Sequence, residues 1–149
     1  MNQERTELLM MERGHWFNTS DPMKSLMCFG FECGPGWFLI LEDLFLKIEQ
    51  VLNRYEVPEG DFEIVQVKEK WGTLRVYHRL HISNKNQHES GIDADNEIEE
   101  LIDQAESNSA ITCEICGEPG KTRNLGWTFT LCDECAKKDR EQRIEGLHS

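Results

Sequence analysis

The chain has 149 residues, of which 38% are hydrophobic and 30% charged, and its formal net charge is −12. That length allows one real hydrophobic core but not two large ones, and the sequence holds no apolar run long enough to span a bilayer. Residues 1–110 carry −11 of the charge, so the chain repels a phosphate backbone at long range, which argues against general nucleic-acid binding.

The first residues, MNQERTELLMMERG, are acid-rich where a signal peptide needs a basic start, so a cytoplasmic protein is expected. Residues 4–13 suit a short amphipathic helix, and 14–22 read as a loop. Asp21-Pro22 has the form of a helix start, with proline at the first helical position. The stretch FGFECGPGW is punctuated by glycine. Its Gly34-Pro35-Gly36 reads as a turn, because a phosphate loop needs a lysine and a spacing it lacks.

Residues 37–55 form the strongest predicted helix, with Leu41, Leu44, Phe45, Ile48, Val51, Leu52 and Tyr55 recurring at three- and four-residue steps. Val57-Pro58 stops it, since a residue before proline avoids the helical region.

Residues 62–82 read as a β-hairpin with Trp71-Gly72 as its two-residue loop. On that register Val65, Val67, Leu74 and Val76 face the helix. Lys68, Lys70, Arg75, Tyr77 and Arg79 face the other way, gathering four cations on one side of an acidic protein. A solvated sheet face guarded by charge accounts for this. The alternatives are an anion site or a dock for the protein's own acidic segment.

Residues 83–91 are polar and read as a flexible loop, and 93–106 as a helix with Ile98, Leu101, Ile102 and Ala105 along one stripe. Between Glu89 and Glu106 there are eight acids and neither Lys nor Arg. Glu97, Glu99, Glu100, Asp103 and Glu106 are thus a wet helix face, a contact for a basic partner, or a contact for the hairpin's cations.

The most informative stretch is CEICGEPGKTRNLGWTFTLCDEC, residues 113–135, where two C-x-x-C pairs are separated by fifteen residues. Two thiolates spaced two apart chelate one ion from a tight knuckle, and two knuckles complete a tetrahedral sulfur set that favours zinc. Cys113, Cys116, Cys132 and Cys135 are therefore the expected ligands. A redox pair needs only one C-x-x-C, and an iron–sulfur cluster would use the same ligands. The spacer fits a hairpin turning near residues 124–126. Cys132 and Cys135 open a helix whose acids lead and whose Lys137, Lys138, Arg140 and Arg143 follow, as the helix dipole favours. Knuckle, hairpin and helix together have the layout of a treble-clef or ribbon-like finger. A closed four-sulfur site leaves no position for water or substrate, so its expected role is structural. Cys28 and Cys33 form a further half-site with His15 or His78, or two small buried thiols. No Ser/His/Asp or HExxH pattern exists, and His78 fits a core position better than a catalytic one.

The combination of ECGPGWF, VKEKWGTLRVY and CEICGEPG…GWTFTLCDEC resembles a group of small bacterial and prophage proteins, over most of residues 32–135. That resemblance implies a phage-related origin and brings no activity with it. Residues 113–143 are similar to the zinc finger of the DksA/TraR family, which regulates RNA polymerase through its secondary channel. There the finger joins a helical coiled-coil hairpin with an acidic tip; here a β-hairpin and one acidic helix precede it.

The expected architecture is α+β, with a helix packed on a β-hairpin or small antiparallel sheet. Residues 1–110 make the acidic core region and 111–149 the four-cysteine finger with its C-terminal helix, the two packed as one unit. The expected function is non-enzymatic: a zinc-binding regulatory or inhibitory protein that binds a host protein, with nucleic-acid mimicry by its acids as a variant. The alternative is a nucleic-acid-binding or transcription-regulatory finger using Lys121, Arg123, Trp127 and the basic hairpin face.

Overall fold

The computed structural model describes residues 1–82 and 88–147. The elements run α1 (Gln3–Met11), β1 (Phe31–Glu32), α2 (Phe38–Arg54), β2 (Phe62–Lys70), β3 (Thr73–Leu80), α3 (His88–Ser109), β4 (Lys121–Asn124), β5 (Thr128–Leu131) and α4 (Asp133–Leu147). The chain is α+β, as expected. Among the described residues no helix is long and apolar enough to cross a membrane.

Helix α1 starts where the Asn2 side chain accepts the Arg5 amide at 2.9 Å, satisfying one of the free donors of the first turn. No helix starts at Asp21-Pro22, and the short 3-10 turn further on, Leu26–Phe29, is capped by Ser25. The Asp21 carboxylate instead accepts the Met23 amide at 3.0 Å, and this local bond closes a turn. Trp16 and Phe17 then enter the core edge-on to other rings, with Trp16 at 5.0 Å from Phe62 and Phe17 at 5.8 Å from Phe31.

Helix α2 buries Leu41, Leu44, Phe45, Ile48, Val51 and Leu52, the apolar positions its period marks out. Strands β2 and β3 pair antiparallel and close as Lys70 opposite Thr73. The loop is the predicted one: Trp71 and Gly72 both take positive φ, 54° and 81°, the signature of a tight hairpin turn that matches the twist of the strands. Two features differ from the sequence reading. The register shifts between Ile64 and Gln66, and this bulge takes Val65 off the core face and leaves Phe62 and Ile64 buried there with Val67, Leu74 and Val76. The sheet is also mixed, because β1 pairs in parallel with β2 through Phe31–Val67 and Glu32–Lys68.

Helix α3 begins at His88, earlier than expected, so only residues 83–87 of the predicted loop lie outside the described residues. It runs antiparallel to β3. Ala94, Ile98, Ile102 and Ala105 face the core at helical spacing, and all are buried. At its far end Ser109 Oγ accepts the outward-pointing amide of Leu74 at 2.8 Å. One amide of the β3 edge strand thereby gains a partner away from water. Strands β4 and β5 form a separate two-stranded hairpin, and α4 follows directly.

Candidate metal centre

The two C-x-x-C pairs meet. The sulfurs of Cys113, Cys116, Cys132 and Cys135 all lie within 4.8 Å of one another. None is in a disulfide. The first pair sits on the turn between α3 and β4, held where Gly117 donates its amide to the Cys113 carbonyl at 2.9 Å. The second pair straddles the start of α4. There the Cys135 amide points at the Cys132 sulfur at 3.3 Å, so a free helix donor supports a thiolate.

The donor set fits one soft dication. Sulfurs bound to zinc at about 2.3 Å in a tetrahedron lie ~3.8 Å apart, and the Cys116–Cys132 separation is 3.7 Å. Burial opposes ionisation of Cys113, but amides from Cys116, Cys132 and Ile115 outweigh it and bring its thiol down to about 7. Burial and the three neighbouring sulfurs push Cys135 strongly up. Four thiols so placed cannot all ionise unless a cation compensates them. The four cysteines can therefore hold a metal ion. Among the described residues they are the sole such grouping of His, Cys, Asp and Glu. Cys33 is buried and Cys28 half-buried, and no cluster joins them to His15 or His78.

The sequence reading missed what seats this cluster. Gly36 lies against the first knuckle so closely that a Cβ there would run into the Cys113 carbonyl oxygen, and one at Gly34 into the Glu114 backbone. The Gly36 amide donates to the Glu114 carbonyl at 2.7 Å, the Gly34 amide to Glu114 Oε1 at 3.0 Å, and the Trp37 indole to the Thr112 carbonyl at 2.9 Å. Burial raises the Glu114 carboxyl above the ordinary carboxylate range. On the far side Thr130, fully buried, donates its hydroxyl to the Gly72 carbonyl at 2.6 Å and accepts the Glu114 amide on its own carbonyl at 2.9 Å. The only hint in the sequence was a Gly-Pro-Gly directly before a tryptophan.

The proposed surfaces are less free than their sequence suggests. Arg75 pairs with Glu106, and Arg79 with Glu63 at 2.7 Å. Lys68 lies over the Tyr77 ring at 5.8 Å and Lys70 over the Trp71 ring at 4.7 Å. Glu97 accepts from Arg54 at 2.8 Å and from the Tyr55 hydroxyl at 2.5 Å. Glu99 is 3.5 Å from His78 Nδ1, while Glu100 and Asp103 face solvent. His78 is a core residue, its ring 5.7 Å from Phe62 and its Nε2 2.8 Å from Asp95. In the finger, Arg123 is tied to the Leu131 carbonyl at 3.0 Å and to Asp133 at 2.5 Å; Lys121 and Trp127 are exposed. Compared with known proteins, the chain matches no family model, no curated protein and no solved structure.

Proposed function

We propose that this chain is a non-enzymatic, zinc-stapled regulatory or inhibitory protein that acts by binding another protein, in the phage-and-host setting its sequence resemblance implies. The observation that carries the reading is the convergence of four cysteine sulfurs on one closed site interlocked with the core. Such a site has no open coordination position, so the metal's part is to hold shape. The order knuckle, β4–β5 hairpin and helix opening at the second knuckle supports a treble-clef or ribbon-like finger. Metal analysis of protein purified without chelator should find one zinc per chain. The binding role is tested by pull-down from bacterial lysate, identification of the captured protein, and reconstitution with that purified partner by calorimetry. Absence of heat with every candidate so identified overturns it. In the mimicry variant the acids most open to a partner are Glu100 and Asp103, with Glu99, which is exposed though 3.5 Å from His78 Nδ1, because Glu97 and Glu106 are engaged within the chain. Their joint replacement by alanine leaving partner affinity unchanged overturns that variant.

One observation favours the second reading, a nucleic-acid-binding module. Trp71 and Trp127 are 69% and 63% exposed, and the contact of Gly72 with residues 128–130 brings them to the same end of the molecule beside Lys68 and Lys70. Aromatic platforms flanked by lysine suit unpaired bases. A fluorescence titration with an oligonucleotide at low salt tests it; quenching that disappears steeply as salt rises is its expected mark.

A further inference from the structure

A groove of about 770 Å³ lies between α1, the start of α2 and the first cysteine knuckle. Its apolar wall is made by Leu8, Phe38, Leu39 and Ile40, and Glu4 and Glu118 line it as well. Leu8 and Leu39 are 50% and 69% exposed, and Met11, one turn beyond Leu8, is 74% exposed. Arg5 also lines the groove, but its guanidinium donates to the Pro35 carbonyl at 2.5 Å and lies 5.3 Å from the centre of the Phe38 ring, so it is part of the wall.

We infer that this groove docks a cationic amphipathic helix of a partner protein, its leucine-type side chains entering against Leu8 and Leu39 and its lysines or arginines meeting Glu4 and Glu118. The inference rests on the protein-binding reading above and names the surface and the partner's chemistry. An apolar wall edged by carboxylates is the complement of a helix with one apolar and one basic face. The region to which the wall belongs, residues 1–110, carries −11, so its long-range field favours the same partner and repels a nucleic acid. A second copy of this chain is a poor complement. Three of the four cations of its exposed helix, α4, pair with that helix's own acids, through Lys138–Glu134 at 2.9 Å, Lys137–Glu141 at 3.9 Å and Arg143–Asp139 at 2.8 Å.

The test uses the zinc-loaded full chain and a labelled peptide of leucines and lysines at helical spacing, followed by fluorescence anisotropy. Binding is expected to weaken about tenfold in Leu39→Glu and in Leu8→Glu, the loss of one buried anchor. Glu4→Lys and Glu118→Lys should weaken it less and flatten its salt dependence. A peptide with glutamate in place of every lysine should not bind. Circular dichroism and zinc content of each variant serve as the folding control, and Leu39→Ala replaces Leu39→Glu if that variant misfolds. Undiminished binding by the folded Leu39 variant, equal binding of the acidic peptide, or a wild-type dimer that Leu39→Glu dissolves overturns the groove. The same variants are measured against the reconstituted partner. A partner held equally by wild type and Leu39→Glu sinks the groove alone, whereas a chain with no protein partner sinks the reading beneath it.

Discussion

Gly36 shows how one atom decides the position of the cysteine cluster. Its missing Cβ lets the Cys113 carbonyl and the Gly117 amide approach, and there is no flexible side chain at that contact to give way. Gly36→Ala is expected to cost about 1–3 kcal/mol by overpacking and to lower occupancy by the proposed zinc, read by thermal melting and metal analysis. Ser109 makes a different case. It is fully buried, and its hydroxyl is the partner of the Leu74 amide. Ser109→Ala leaves that amide without an acceptor and should destabilise by roughly 1–3 kcal/mol in a denaturant titration. Cys33 tests burial above all, with the charges of Glu114 and Glu69 acting in the same direction. Burial pushes its thiol up to about 12, so the thiolate that alkylating reagents need is scarce at neutral pH. Mass mapping after iodoacetamide treatment of native protein should find Cys33 unmodified, and unfolding should expose it. The cysteine spacing announces the metal site because chelation by neighbouring ligands is a local property of the chain. Gly36, Glu114 and Thr130 could not be read in the same way, since each matters through a residue at least 58 positions away.

At the scale of elements, helices and strands with a clean period were legible. Residues 37–55 and 73–80 formed as their apolar spacing required, and Trp71-Gly72 turned as a hairpin loop. The bulge at Val65 left a trace that the sequence reading passed over: the apolar positions change phase there, from Phe62 and Ile64 to Val65 and Val67, and the register of the pairing shows what that change means. The early start of α3, whose first turns are polar, was not legible. The link between α2 and α3 has a pH dependence. The Tyr55 hydroxyl, with Arg54, holds the Glu97 carboxyl below its ordinary value of 4.5, and Glu97 in turn raises the Tyr55 phenol above 10.0. A carboxyl lowered on folding contributes stability above its unfolded pKa and loses it as pH falls through the folded value. A phenol raised on folding contributes below its unfolded pKa and loses it as pH rises through the folded value. Tyr55→Phe should therefore melt lower at neutral pH and show a shallower fall in melting temperature below about pH 4.5. An unchanged acid limb in melts from pH 3 to 8, a window of about this width around the carboxylates, would count against the pairing.

For the molecule as a whole, the sequence separates an acidic region from a cysteine module, and the contacts between them are the part it does not announce. Glu114 joins Gly34, Gly36 and Thr130, and Thr130 joins the tip of the β2–β3 hairpin. With the proposed zinc removed, the loss of order should not stop at residue 111. Hydrogen exchange after chelation is expected to show faster exchange in β4, β5 and the first turn of α4, and also at residues 34–37, while the middle of α2 stays protected. Exchange confined to the cysteine module would mean that the contacts at Gly34 and Gly36 transmit nothing. The same interlock has an optical consequence. Of the two buried indoles, Trp16 sits among aromatic rings, whereas Trp37 reports directly on the knuckle through its bond to Thr112. Trp37 is thus a built-in lamp for the metal: stripping the ion should redden and dim its emission while Trp16 keeps its blue glow, and a Trp37→Phe chain should lose that colour change without losing the ion.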